Sequence, residues 1–99
     1  MATFITTIKF TPQGIKAIKD TTHRAAELTE AAKRMGVTVT NLYWTLGEND
    51  GTLIFDAPDP ETAAALMMLL GSKGNVHTMT QRAFTAAEME NVLAKMPAA

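Results

Sequence analysis

The chain has 99 residues, no cysteine, and a formal net charge of −1. That length holds one domain, 1–99, and leaves a modest core, since a chain this short buries only about 60–68% of its unfolded surface. Disulfide and thiolate chemistry are excluded, and with no basic cluster the electrostatic footprint of a nucleic-acid binder is missing.

Thr3 to Phe10 reads as a strand, with Phe4, Thr6, Ile8 and Phe10 on one face and Thr3, Ile5, Thr7 and Lys9 on the other. Thr11 then serves as an N-cap, and Pro12 fits the first helical position because its missing N–H would be unpaired there. The spacing of Ile15, Ile18, Thr22, Ala25, Thr29 and Ala32, with Leu28 and Met35 beside them, predicts one helix from Pro12 to Met35, ended by Gly36. Val37 to Leu46 reads as the second strand. Gly47 to Gly51 is a short turn whose Asn, Asp and Gly residues bond their own backbone or tolerate positive φ. Thr52 to Ala57 is the third strand, antiparallel to the second because the connection is so short.

Asp59-Pro60-Glu61 is a helix start, with a cap, a proline at the first position and an acid facing the positive end of the dipole. The helix runs to Leu70 and is broken by Gly71 and Gly74. Asn75 to Ala83 reads as the fourth strand. Thr85-Ala86-Ala87-Glu88 is a capping box that opens a last helix with Met89, Val92, Leu93 and Met96 apolar, and Pro97 closes it.

The order β-α-β-β-α-β-α predicts an α+β chain whose first six elements form the split βαβ, ferredoxin-like motif, with an extra C-terminal helix. Right-handed crossovers place both main helices on one face of a four-stranded antiparallel sheet. If no bulge intervenes, Leu42, Trp44, Leu46, Leu53 and Phe55 suit the covered face. Tyr43, Thr45, Ile54, Asp56 and part of the fourth strand fall on the bare one. Such a face is more apolar than a solvated sheet usually is, and a homodimer or higher homo-oligomer is the simplest remedy.

Three segments carry a family resemblance: Tyr43-Trp44-Thr45-Leu46-Gly47-Glu48-Asn49-Asp50-Gly51, then Asp56-Ala57-Pro58-Asp59, then Gly74 to Thr85. They resemble the GYD domain family of small bacterial proteins, over nearly the whole chain. Gly47 and Asp50 match the signature Gly and Asp, and Asn49 stands where the family usually has Tyr, so that phenol is missing here. The resemblance implies a ferredoxin-like domain similar to the dimeric α/β-barrel group, oligomeric in solution. It implies no reaction. Small monooxygenases and stress-response barrels share the fold only by analogy.

The candidate ligand-binding residues are Tyr43, Thr45, Asp50, Thr78, Thr80 and Arg82, imagined around one sheet face. Thr78, Thr80 and Arg82 alternate, so they share a side; two hydroxyls and a guanidinium suit an anion or carboxylate. The plainer reading is a polar strand row, with Arg82 paired to an acid such as Asp56. Asp50 reads as a general base or, on the plainer view, as a residue capping its own turn. Tyr43 is either a proton donor or a packing residue with its hydroxyl at a rim. His23 and His77 are far apart and form no ligand pair, so no metal, cofactor or catalytic set is expected. Gly71-Ser72-Lys73-Gly74 sits at a helix C-terminus, where the dipole repels anions, and lacks the spacing of a phosphate loop.

No apolar run approaches the roughly 18–20 residues of a membrane span. The opening Met1-Ala2-Thr3-Phe4-Ile5 lacks a signal peptide's basic start. The sequence therefore predicts a cytoplasmic homo-oligomer, without nucleic-acid or membrane partners, that binds a small molecule or serves an assembly or stress-associated role. The alternative is a cofactor-independent, monooxygenase-like small-barrel enzyme with its pocket on the sheet face.

Overall fold

In the computed structural model, which describes residues 1–98, alternating side chains build the expected sheet. Its strands are β1 (Ala2–Phe10), β2 (Thr38–Trp44), β3 (Gly51–Ala57) and β4 (Val76–Ala83), in the order β2-β3-β1-β4. All three pairings are antiparallel, which is the ferredoxin-like arrangement. Opposed residues in such a ladder share a face. Phe4 sits between Phe55 and Arg82, Thr6 between Leu53 and Thr80, and Ile8 between Gly51 and Thr78.

That face is the one under the helices. Phe4, Leu53, Phe55 and Ala57 are buried there with Ala32, Val37, Ala63 and Leu66. The Phe4 and Phe55 rings stack at 5.4 Å. The buried Thr6 hydroxyl meets the Thr80 hydroxyl at 2.8 Å and the Met67 sulfur at 3.5 Å, so its burial leaves no polar atom without a partner.

The helices are α1 (Pro12–Lys16), α2 (Thr21–Arg34), α3 (Pro60–Ser72) and α4 (Ala86–Ala94), with a 3₁₀ turn at Ile18–Asp20. The caps read from sequence are all in place. The Gly14 N–H donates to Thr11 Oγ1, the Thr62 N–H to Asp59 Oδ1, and the Glu88 N–H to Thr85 Oγ1, while the Thr85 N–H donates back to Glu88. Gly36 takes φ +78° after α2, as a C′ glycine should.

The first helix is not continuous, which corrects the sequence reading. Gly14 lies so close to the backbone of Asn75 that a Cβ there would stand 2.0 Å from the Asn75 oxygen. The Thr11 N–H donates to Asn75 O at 3.1 Å and the Thr11 hydroxyl to Gly74 O at 2.6 Å. These ties hold α1 against the start of β4, and the chain turns through Ala17–Asp20 before α2 can cross the sheet. The apolar stripe is re-phased as a result: Ile15 and Ile18 are exposed, and Leu28, Ala32 and Met35 pack on the core.

A second difference lies in β2. Val39 faces Phe55, Asn41 faces Ile54 and Leu42 faces Leu53, so Thr40 is an extra residue in a bulge. The bulge brings both Val39 and Leu42 under the helices, where simple alternation puts them on opposite faces.

Helix α4 stands apart. It buries none of its residues, and the chain reaches 54 Å along its longest axis. The radius of gyration is 15.3 Å, against about 13 Å for a compact chain of this length.

Candidate functional site

The register divides the predicted site residues between the two sides of the sheet. Tyr43 lies opposite Thr52 on the bare face, with Ile5, Ile54 and Met79. Thr78, Thr80 and Arg82 oppose Ile8, Thr6 and Phe4 and so lie on the helix side. The expected meeting of Tyr43 and Thr45 with Thr78, Thr80 and Arg82 therefore does not form within one chain. The alternation along β4 is as expected; its phase relative to β2 is not, because only the pairing through β1 and β3 sets it.

The Thr78, Thr80 and Arg82 row edges a small cleft walled by α3, where α3 leaves β4 partly uncovered. Thr80 is bonded to Thr6. The Arg82 guanidinium donates to Glu88 Oε2 at 3.1 Å, lies 4.6 Å from the Phe84 ring centre, and also donates to the carbonyls of Thr3 and Ala83. Arg82 is thus paired with an acid, in line with the plainer reading, but the acid is Glu88. Asp56 projects on the other face, where it accepts the Thr3 hydroxyl at 2.6 Å. The Thr85 N–H and then Arg82 hold the Glu88 carboxyl below its usual range. The Asp59 carboxyl is lowered by the Thr62 side chain and backbone N–H.

Asp50 is occupied structurally. Its Oδ2 accepts the Phe10 N–H at 2.8 Å, its own N–H donates to Ile8 O, and its carbonyl accepts the Thr45 N–H. It clamps the β2–β3 turn to the end of β1. Thr45 closes the turn by donating its hydroxyl to Asn49 O. Tyr43 accepts from Asn41 at a rim, half exposed. His23 pairs with Glu27 on the surface of α2, and His77 is exposed on the bare face. Among the described residues no three His, Asp or Glu side chains are grouped to hold a metal ion. Among the described residues no helix is long and apolar enough to cross a membrane.

A larger cleft, which takes in Tyr43 and Asp50 but none of the other candidate residues, lies at the opposite end of the helix side. It has a volume of about 720 Å³ and lies between α2 and the end of α3. Its floor is Ile8, Phe10, Leu42, Trp44 and Val76, all from one end of the sheet. Trp44 is 46% exposed there, with its indole N–H donating to Thr21 Oγ1 at 2.9 Å. The signal for this cleft is present in the alternation of β1, which puts Ile8 and Phe10 on the helix side. Nothing in the sequence shows that α2 and α3 leave those two side chains half covered.

Over 90 residues the chain is 33% identical to a Thermus thermophilus protein named "Glutamine synthetase and cystathionine beta-lyase binding protein", covering 90% of this chain and 95% of that one. No solved structure matches the chain significantly. The GYD domain model matches residues 4–93, from the first buried residue of β1 to the last turn of α4, and the chain belongs to the GYD domain family.

Proposed function

We propose that this chain is a homo-oligomeric interaction domain that docks on larger metabolic enzymes and performs no chemistry of its own. The observation that carries the reading is the amount of large apolar surface outside the core: Tyr43 and Met79 on the bare face, Trp44 in the cleft, and Phe84, Met89 and Leu93 along the C-terminal arm. Surface of this kind marks a place where another protein sits. The Thermus relative's name supports it, since that protein is named for binding two enzymes, glutamine synthetase and cystathionine beta-lyase. A cytoplasmic setting goes with this reading.

Self-association through the bare face is part of the proposal. Ile5 and Ile54 lie side by side at its centre, flanked by Thr7, Thr52, Tyr43 and Met79, and a flat patch of this composition suits a two-fold partner. The test is sedimentation of the purified chain alone and with glutamine synthetase or cystathionine beta-lyase from the organism that encodes it. Co-sedimentation with either enzyme at micromolar concentration is expected. A chain that stays monomeric and binds neither enzyme at ten times that concentration overturns the proposal.

A further inference from the structure

We propose that the cleft between α2 and α3 is the seat for helix α4 of a second copy of this chain, so that two copies exchange their C-terminal arms. The inference rests on the self-association in the preceding reading and goes beyond it by naming the occupant and the seat.

Two apolar features lack a partner within the chain. One is the stripe of Met89, Val92 and Leu93 on a helix that buries nothing, continued by Met96 just past its end; the four are 37–67% exposed. Its spacing is that of a helix made to lie on an apolar surface. The other is the cleft floored by Ile8, Phe10, Leu42, Trp44 and Val76.

The chain cannot bring its own two halves together. Strand β4 begins beside the cleft at Val76 and ends at Ala83, which pairs with Thr3 at the far end of β1. Seven steps of strand at about 3.3 Å put roughly 23 Å between them. Only Phe84 and Thr85 separate Ala83 from α4, too short a link to double back over that distance. The start of α4 is also pinned, by the Thr85–Glu88 capping box and the Arg82–Glu88 pair. The arm therefore points off one end of the molecule while the cleft opens at the other.

A second copy lying antiparallel resolves both at once, each arm reaching the other's cleft. The fit in length is good. The nine residues of α4 span roughly 13 Å, against roughly 21 Å for the fourteen residues of α2 that wall the cleft.

The absence of native cysteine and the single tryptophan make the test direct. Leu69 lines the cleft and Val92 lies on α4, both exposed. A Leu69→Cys chain mixed with a Val92→Cys chain is expected to form a mixed disulfide dimer on mild oxidation, in at least tenfold excess over either homodimer. Placing Leu93→Asp on the Val92→Cys chain should abolish it. Leu93→Asp alone should move Trp44 emission to the red, while far-UV circular dichroism stays put because Leu93 is half exposed and outside the core. The melting midpoint should fall to a value that no longer depends on protein concentration, as loss of the partner copy requires. A wild-type monomer with water-exposed Trp44 emission overturns both the self-association and the arm exchange. A dimer indifferent to Leu93→Asp, with no mixed disulfide, overturns the exchange alone and leaves the bare face as the interface. Trp44 emission that moves to the red only when the purified chain is extracted with organic solvent assigns the cleft to a small apolar ligand and overturns the exchange as well.

Discussion

Replacing Gly14 with alanine should destabilise this protein, although in an isolated helix the same change stabilises. On helix propensity alone, Ala is favoured over Gly by about 1 kcal/mol. The added Cβ, however, would stand 2.0 Å from the Asn75 oxygen and 2.9 Å from its carbonyl carbon. Both are backbone atoms, so no side-chain rotation relieves the clash. Real Cβ contacts do not fall below 3.0 Å, so α1 and the start of β4 must separate by at least 1.0 Å, the difference between 3.0 and 2.0 Å. That movement takes the Thr11 N–H···Asn75 O bond from 3.1 Å to a length at which it no longer counts as one. The Thr11 hydroxyl bond to Gly74 O lies on the same seam. Overpacking costs about 1–3 kcal/mol, and two hydrogen bonds cost about 1 kcal/mol each. After the propensity gain the net loss is about 2–4 kcal/mol, a fall in Tm on the order of 10–25 °C for a domain of this size. Thermal and urea unfolding by circular dichroism, at one protein concentration because association shifts Tm, measure it. A Gly14→Ala chain as stable as the parent would refute the idea that this contact splits the first helix.

Phe55→Ala removes a fully buried ring stacked on Phe4 and should cost about 3–5 kcal/mol, read from urea unfolding. Asp50→Ala strands the Phe10 N–H and should cost about 1–3 kcal/mol, whereas Asp50→Asn, which keeps an acceptor, should cost clearly less; equal losses would point to a need for the charge instead of the clamp. Because the folded Glu88 carboxyl is held below its usual value, it stabilises α4 fully above the ordinary glutamate pKa of about 4.3, and the contribution fades as pH falls through the lowered value. Backbone chemical shifts of Ala86–Ala94 should therefore move toward coil in acid, and Glu88→Gln should remove most of that pH dependence.

What is legible in the sequence is local. Thr11, Asp59 and Thr85 act as caps because each needs only its own next three residues. The alternation within each strand and the position of the Gly47–Gly51 turn are equally short-range, although the Asp50 side chain bonds the Phe10 N–H of β1 instead of capping its own turn. What is not legible depends on contacts across the chain. Gly14 meets Asn75, 61 residues away, and that contact ends α1. Arg82 turns to Glu88 instead of Asp56 because the ladder through β1 sets the phase of β4, and no residue of β4 encodes that phase alone. The same ladder separates Tyr43 from Thr80. The cleft escapes for a related reason: Ile8 and Phe10 alternate like core residues, and only the paths of α2 and α3 leave them half covered.

The bulge at Thr40 offers the sharpest check on that ladder. With Thr40 skipped, Val39, Asn41 and Leu42 face Phe55, Ile54 and Leu53 one for one. Deleting Thr40 therefore converts β2 into a regular strand without turning any neighbour over. The deletion removes the Thr40 hydroxyl bond to Ile54 O, which is exposed and 3.1 Å long and is worth about 1 kcal/mol or less. Deleting Tyr43, a few residues further along the same strand, removes no surplus residue. It would push either Leu42 or Trp44 off the helix side, and a one-residue slip moves every side chain beyond it to the wrong face. The Thr40 deletion should fold with a Tm within about 4–8 °C of the parent and keep the Trp44 environment. The Tyr43 deletion should lose several times as much stability and shift Trp44 emission. If the two deletions were equally damaging, Thr40 would not be the extra residue, and the assignment of Tyr43 to the bare face would fall with it.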